Sequence, residues 1–157
     1  MNLGQSPTEA APDHHLLQAC SVRRHNPERG FILLSNSKLM ATLPASDMAR
    51  AKAFYADKLD LKPVEDGEFE AWYETGGTRF LLYMSGFAGT NQATAAGFVV
   101  DDVETSVAEL KGRGVVFEEY DFDELKTVDG IATTEDGTKA AWFKDSEGNI
   151  ISIASTG

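Results

Sequence analysis

The sequence predicts an α+β fold of two tandem βαβββ modules, which form a curved mixed sheet around a shared cleft with the helices on the outside. Two observations support this prediction. A short apolar strand, an aspartate and an amphipathic helix occur twice: ATLPASDMARAKAFYADKL begins at Ala41, and AGFVVDDVETSVAELKGRG begins at Ala96. A constant offset of 55 residues aligns the two copies, so that Asp47 falls on Asp102. Each copy alone is too small to bury its sheet, and pairing them creates one core.

The first module is expected over residues 38–84, after a leader, residues 1–36, that shows no sustained periodicity. The leader is predicted to be poorly structured or to hold one short helix, and the domain to span residues 37–157. Ser46 or Asp47 can cap the first helix, because a side-chain oxygen accepts from the free N–H groups of the first turn. The expected elements are a strand at 38–44, a helix at 47–58 and strands near 62–66, 68–75 and 78–84.

A small polar linker, residues 85–93, leads to the second module, residues 94–154. Asp101 and Glu104 form a D-x-x-E capping box at the start of its helix. An acidic insertion, residues 121–138, has no counterpart in the first module, and its charged run is typical of a solvated loop. The expected elements are a strand at 94–100, a helix at 102–112 and strands at 115–120, 138–144 and 149–154.

The charge of the chain argues against two classes of partner. The net charge is −11, from 14 basic and 25 acidic residues, and all of the excess lies from residue 37 onward. Such a surface repels nucleic acid and anionic lipid, so neither nucleic acid nor a membrane is an expected partner. A single cysteine, Cys20, excludes an internal disulfide. No stretch is apolar enough for a membrane span or for a signal peptide, which predicts a cytoplasmic protein.

Three segments together resemble one known family. They are LPASDMARAKAFYADKLDLKPV, GFVVDDVETSVAELKGRGV and AAWFKDSEGNIISI, and they span about residues 38–154. Their order and spacing are similar to those of the vicinal oxygen chelate superfamily, the group of lactoylglutathione lyase, bleomycin-resistance proteins and extradiol dioxygenases. The third segment resembles the closing hairpin of that family, in which Ser146 here replaces the usual proline. The resemblance implies two modules around one binding cleft.

The resemblance also implies a divalent metal in that cleft, held by His, Gln or Glu side chains. The matching positions here are Met40, Ala95, Ser152 and either Leu81 or Tyr83, none of which is a usual ligand. All three histidines lie in the leader, and residues 37–157 contain neither histidine nor cysteine. We therefore expect a cleft without metal or other cofactor.

Strand alternation indicates which residues line the cleft. If Met40 occupies a former ligand position, Thr42 shares its face, as Ala95 and Ser152 do on the strands of module 2. Aromatic residues on the neighbouring strands add flat surfaces for stacking. In the pairs Trp72–Tyr73 and Trp142–Phe143 the side chains point to opposite faces, and the sequence does not say which one faces the cleft. The predicted ligand-binding residues are Met40, Thr42, Trp72, Tyr83, Ala95, Trp142 and Ser152.

These patterns favour a binding protein of the bleomycin-resistance type, which holds a small cationic or aromatic molecule without a metal. The acidic insertion then offers a lid for a cationic ligand. Alternatives are a metal-dependent lyase, isomerase or dioxygenase with a non-standard site, and a metal-free enzyme, for which Glu70 is the first candidate base; no catalytic residue is identified. A regulatory module whose leader contacts a partner is a third class. A homodimer is the expected assembly, as is common in the family.

Overall fold

The computed structural model describes residues 34–155, with the side chain of Asn36 excepted. A 3₁₀ turn at Leu34–Asn36 precedes the first module. The interpretation of residues 1–33 as an unstructured or briefly helical leader lies outside the described residues. No helix within the described part of the chain is long and apolar enough to cross a membrane.

Module 1 contains one helix and one four-stranded sheet, which we call sheet A. Helix α1 (Met48–Leu59) buries Met48, Ala51 and Tyr55, which recur at i, i+3 and i+7 along one helical stripe. The Asp47 side chain accepts from the Arg50 amide as its N-cap. The strand order is β1-β4-β3-β2, with β1 parallel to β4 and the other pairs antiparallel. The strands are β1 (Ala41–Ala45), β2 (Glu65–Asp66), β3 (Glu70–Thr75) and β4 (Thr78–Met84).

Module 2 repeats this arrangement in sheet B, with strand order β5-β10-β9-β8, and adds a separate hairpin of β6 and β7. Helix α2 (Val103–Gly112) is capped by Asp102, whose side chain accepts from the Thr105 amide. The predicted Asp101–Glu104 capping box is therefore wrong by one residue, and Glu104 pairs with Lys139 instead. The predicted pair of βαβββ modules is confirmed. The strands are β5 (Thr94–Val99), β6 (Asp121–Phe122), β7 (Leu125–Lys126), β8 (Ile131–Thr133), β9 (Lys139–Lys144) and β10 (Ile150–Ala154).

The predicted strand at 115–120 is not a strand in the structure. Only one bridge, between Phe117 and Phe143, joins it to β9. The free edge of β9 is instead paired with β8, which lies inside the acidic insertion. The chain leaves the sheet after Glu118, whose amide donates to the Trp142 carbonyl at 2.7 Å. The insertion therefore supplies the edge strand and a hairpin, where the sequence suggested a solvated loop.

One hydrophobic core joins the modules. It contains buried residues from both helices and from one face of each sheet. Tyr73 stacks on Phe80 with ring centroids 4.8 Å apart, and Phe54 of α1 approaches Phe143 of β9 at 6.5 Å. Each large side chain buried in this way stabilises the fold by about 1.5–3 kcal/mol. The core faces of both sheets are thus covered, and we call the opposite faces the open faces.

Candidate ligand-binding site

The open face of sheet A carries one of the two tryptophans. Thr42, Leu81 and Trp72 lie opposite one another on β1, β4 and β3 and so share this face. Tyr73 is fully buried on the core side, so Trp72 is the member of its pair on the open face. The Arg79 guanidinium carbon lies 4.9 Å from the Trp72 ring centroid, and Arg79 also donates to Glu65 at 2.6 Å. Trp72 is thus already stacked against a cation of its own chain.

Two further predicted residues, Tyr83 and Met40, lie on or beside the same face. Tyr83 of β4 lies opposite Pro44 of β1 and Glu70 of β3, and it is half-buried. Met40 directly precedes β1 and is also half-buried. Glu70 therefore sits on the open face of sheet A, beside Tyr83.

The open face of sheet B carries the other tryptophan, beside a hydroxyl. Gly97, Ser152 and Trp142 lie opposite one another on β5, β10 and β9. Phe143 is fully buried, so Trp142 is the residue of its pair on the open face. A Cβ at Gly97 would lie 2.6 Å from the Ser152 Oγ, so a larger residue there would force that hydroxyl out of its present position. The Ser152 Oγ makes no hydrogen bond within residues 34–155, which leaves it available to a ligand.

Two aromatic side chains of the acidic insertion extend this surface. The Tyr120 ring lies edge-on to Trp142, with centroids 5.7 Å apart and planes at 73°. Phe122 stacks on Tyr120 at 5.8 Å with planes at 26°, and it remains 62% exposed. We call Trp142, Tyr120 and Phe122 the aromatic row. Sequence reasoning missed Tyr120 and Phe122, although their i, i+2 spacing within the acidic run was a signal that they share a face.

The aromatic row is bordered by negative charge. Glu118 pairs with Lys144 at 3.4 Å and Asp121 with Lys126 at 3.2 Å, whereas Asp123 and Glu124 have no ion pair within the described part of the chain. Burial raises the pKa of Tyr120, and the neighbouring Glu118 raises it further, so the phenol stays neutral at physiological pH. The row therefore combines neutral rings with a net anionic border, which suits a cationic ligand.

The predicted site residues fall into two groups on the two open faces. Met40, Thr42, Trp72 and Tyr83 belong to sheet A, and Trp142 and Ser152 to sheet B; no described hydrogen bond or ring contact joins the two groups. Ala95 lies at a β-bulge between Thr94 and Ala96 and packs against the core.

Two cavities of about 260 Å³ each lie between the modules, and both are lined in part by Thr75, Phe98 and Val99. Neither cavity is lined by any of the seven predicted residues.

The donor set does not fit the divalent metal that the family resemblance implies. Over residues 34–155, no three His, Cys, Asp or Glu side chains come together closely enough to share an ion. The positions that match the family's ligands hold a thioether, an aliphatic chain or phenol, a methyl group and a hydroxyl, which are poor partners for such ions.

A comparison with protein families decides the assignment. Residues 39–153 match the model of the Glyoxalase/Bleomycin resistance protein/Dioxygenase superfamily. The chain belongs to this superfamily. The resemblance seen in the three sequence segments is thereby confirmed.

Solved structures of this superfamily share the fold at low sequence identity. A bleomycin-binding protein complexed with bleomycin has a TM-score of 0.60 at 16% identity, covering 76% of this chain and 98% of that one. Lactoylglutathione lyase from Agrobacterium tumefaciens has a TM-score of 0.56 at 20% identity, covering 76% and 93%. The fosfomycin resistance protein FosX from Listeria monocytogenes has a TM-score of 0.58 at 12% identity, with the same coverage. No curated protein matches the sequence.

Proposed function

We propose that this superfamily member is a metal-free binding protein for a small, planar, cationic molecule, which it holds without transforming it. The observation that carries the proposal is the arrangement on the open face of sheet B. There the free Ser152 hydroxyl lies between a glycine and an indole, and the aromatic row continues to an anionic hairpin.

The binding energy would come from three kinds of contact. A ring stacked on Trp142 gains about 0.5–1.5 kcal/mol beyond its buried area. A positive charge on that ring adds about 0.5–2 kcal/mol through cation–π attraction. The Ser152 hydroxyl can donate to or accept from the ligand edge for a net of roughly 0.5–1.5 kcal/mol. Together these contacts give recognition of shape and charge, with no nucleophile or general base needed.

A homodimer would place a second surface opposite the open face of sheet B and so complete a binding cleft. We propose that the open face of sheet A in one chain, with Thr42, Trp72 and Tyr83, faces the open face of sheet B in its partner. The predicted cleft residues of the two modules then meet across the dimer. This arrangement is supported by the partial exposure of Trp72 and Trp142 and by the separation of the two groups of residues within one chain. Sedimentation analysis should give a dimer at micromolar concentration, and a monomer would contradict this part of the proposal.

The binding proposal is tested with two planar dyes of opposite charge, cationic ethidium and anionic fluorescein. Dye anisotropy should show binding of ethidium and not of fluorescein. Replacing Trp142 with Phe should weaken ethidium binding about fivefold or more, because a smaller and less electron-rich ring remains. The control variant Phe87→Leu removes an exposed ring of the linker and should leave ethidium binding unchanged. If neither dye binds, or if fluorescein binds more tightly, the proposal is wrong.

The lyase among the structural relatives keeps one alternative open, a metal-dependent enzyme with an unusual site. Elemental analysis of the purified protein distinguishes the two functions. A stoichiometric divalent metal would favour the enzyme, and its absence would favour the binding protein.

A further inference from the structure

One of the two cavities between the modules lies on the core side of the sheets, where helix α2 meets the end of helix α1. Its volume is about 260 Å³. The apolar side chains that line it come from both modules and include Leu59, Leu61, Phe98, Leu110, Phe143 and Ile153. Phe143 and Ile153 are buried core residues, whereas Trp142 and Ser152 of the open face do not line this cavity. The cavity is therefore separate from the ligand site proposed on sheet B.

The internal repeat explains why this space exists. The offset of 55 residues that aligns the two helices places Leu110 on Tyr55 and Glu109 on Phe54. In module 1 the Tyr55 ring is fully buried between helix α1 and sheet A, with its centroid 5.4 Å from that of Tyr73. Module 2 has a shorter aliphatic side chain and a carboxylate where module 1 has two aromatic rings.

The sheet side of the cavity corresponds in the same way. Residues 71–73 read Ala-Trp-Tyr and residues 141–143 read Ala-Trp-Phe, and in both the last aromatic residue is fully buried. Tyr73 packs on the Tyr55 ring, whereas Phe143 and Leu110 both line the cavity. The cavity thus occupies, in module 2, the place that an aromatic ring fills in module 1.

One carboxylate lies at the mouth of the cavity. Glu109 lines it, is exposed, and makes no ion pair within the described part of the chain. Ser106 lies one turn earlier on the same helix face; its hydroxyl donates to the Asp102 carbonyl at 2.7 Å and can still accept a hydrogen bond. None of the described residues that line the cavity is basic. The mouth therefore favours a protonated amine.

We propose that this cavity binds a small aromatic amine, with its ring between Leu110 and Phe143 and its ammonium group on Glu109. An apolar cavity of about 150 Å³ is enough to hold a benzene ring, so a volume of about 260 Å³ has room for a ring and a short alkyl chain. Phe98 and Phe143 give the ring aromatic contacts. This site does not depend on the proposed function, because it lies on the opposite side of sheet B.

Calorimetric titration of the full chain with 2-phenylethylamine and with phenylacetate tests the class of ligand. The two probes share the ring and carry opposite charges. The amine should bind at least about fivefold more tightly than the acid, because the charge pairs with Glu109 in one case and is repelled in the other. If the amine does not bind, or if the two probes bind equally, the proposal is wrong.

The role of the carboxylate is tested by Glu109→Gln. This variant should weaken binding of 2-phenylethylamine about threefold, because the ion pair is lost. Glu135→Gln is the matched control, since it removes an exposed acid from the turn between β8 and β9, and it should leave the affinity unchanged. Equal effects of the two variants would contradict the contact with Glu109.

Filling the cavity tests the location. Leu110→Phe should weaken binding of 2-phenylethylamine at least about tenfold, because the new ring takes the place of the ligand. Its melting temperature should be unchanged or higher, since filling a cavity commonly stabilises a protein. Ala108→Phe adds a ring on the exposed side of the same helix and should not affect binding. If Leu110→Phe does not fold, Ser106→Leu fills the cavity from the preceding turn. Full affinity in a folded filling variant would overturn the proposal.

One further variant separates this site from the open face of sheet B. Trp142→Phe should leave the affinity for 2-phenylethylamine unchanged, and Leu110→Phe should leave the affinity for ethidium unchanged. Loss of 2-phenylethylamine binding in Trp142→Phe but not in Leu110→Phe would overturn this proposal and support the open face as the site. Binding of 2-phenylethylamine without any binding of ethidium would contradict the proposed function alone.

Discussion

Arg50 and Glu147, 97 residues apart in the chain, form a hydrogen-bonded ion pair of 2.8 Å between Nε and Oε1. The other oxygen of Glu147 accepts from the Ser46 amide at 2.8 Å and from the Asp47 amide at 3.0 Å. These amides belong to the start of helix α1. A carboxylate of module 2 therefore completes the N-terminus of the helix of module 1.

Replacing Glu147 with Ala should destabilise the protein strongly. The carboxylate side chain is fully buried, and its removal leaves the amides of Ser46 and Asp47 and the Arg50 guanidinium without their partner. Loss of a charged acceptor from its hydrogen bonds costs about 1.5–3 kcal/mol, and the half-exposed Arg50 guanidinium regains water. Urea unfolding measures this loss. Glu135→Ala, at an exposed position, is the control and should change stability by less than about 0.5 kcal/mol. A loss below about 1 kcal/mol for Glu147→Ala would show that the contact is not formed.

Lowering the pH should destabilise the folded protein through the protonation of Glu147. Burial raises the pKa of Glu147, but hydrogen bonds from Arg50, from the Asp47 amide and from Ser46 outweigh it and lower the pKa from 4.5 to about 2. Because the folded-state pKa is depressed, this stabilisation is fully present above pH 4.5 and is lost as the pH falls toward 2. Unfolding free energies between about pH 7 and about pH 2.5 should therefore fall, and in Glu147→Gln this part of the slope should be missing.

Asp145 should have the opposite effect to Glu147 on stability as the pH falls. Burial raises the pKa of Asp145, against hydrogen bonds from Asn149, the Glu147 amide and Tyr55 that lower it. A carboxyl with a raised folded-state pKa is destabilising when ionised, so its protonation favours the folded state as the pH falls. The acid limb of the wild-type curve should accordingly be shallower than that of Asp145→Asn. A steeper wild-type limb would contradict this assignment.

Gly97 and Ser152 should show strong energetic coupling. Gly97→Ala places a methyl group 2.6 Å from the Ser152 Oγ and should cost about 1–3 kcal/mol. Ser152→Ala alone should be nearly neutral, because the hydroxyl has no hydrogen bond within residues 34–155. The double variant should recover at least about 1 kcal/mol, since the crowded oxygen is gone. Additive effects in this double-mutant cycle would mean that the two side chains do not meet.

Two buried tyrosines should respond differently to the loss of the hydroxyl. The Tyr55 hydroxyl donates to Asp145 Oδ2 at 3.1 Å, so Tyr55→Phe should cost about 1.5–3 kcal/mol. The buried Tyr73 hydroxyl has no hydrogen-bond partner within residues 34–155. Tyr73→Phe should therefore be neutral or stabilising, because it removes a polar atom that is desolvated without compensation. Equal losses for the two variants in thermal unfolding would contradict this difference.

Divalent ions should leave the thermal stability unchanged. A ligand that binds the folded state at about 100 times its dissociation constant stabilises it by about 2.7 kcal/mol, which a melting curve detects readily. We expect no such shift with Zn²⁺, Ni²⁺, Mn²⁺, Mg²⁺ or Ca²⁺ added to metal-stripped protein. A clear shift with one ion would show that the assessment of the donor set is wrong.

The sequence predicts the helices well, because local signals define them. The predicted ranges 47–58 and 102–112 differ by one residue at most from the observed ends, since Asp47 and Asp102 cap both helices through side-chain oxygens. The fold class follows from the repeat of these signals. Strand alternation also placed Thr42 and Ser152 on the open faces.

The rest depends on contacts between distant parts of the chain. Tyr120 and Phe122 stand in an acidic run, and nothing local indicates that a hairpin brings them to Trp142. The edge strand β8 is short, and only its pairing with β9 identifies it. The role of Glu147 is likewise invisible locally, because its partners lie about a hundred residues earlier.

The contact of Glu147 with helix α1 has a consequence for how the duplicated chain unfolds. Neither module makes all of its stabilising contacts internally. The amides at the start of helix α1, in module 1, donate to the Glu147 carboxylate in the last turn of module 2. The two halves should therefore melt in one cooperative step, and amides in α1 should exchange with solvent only when the final hairpin opens. The two repeated modules therefore behave as one cooperative unfolding unit.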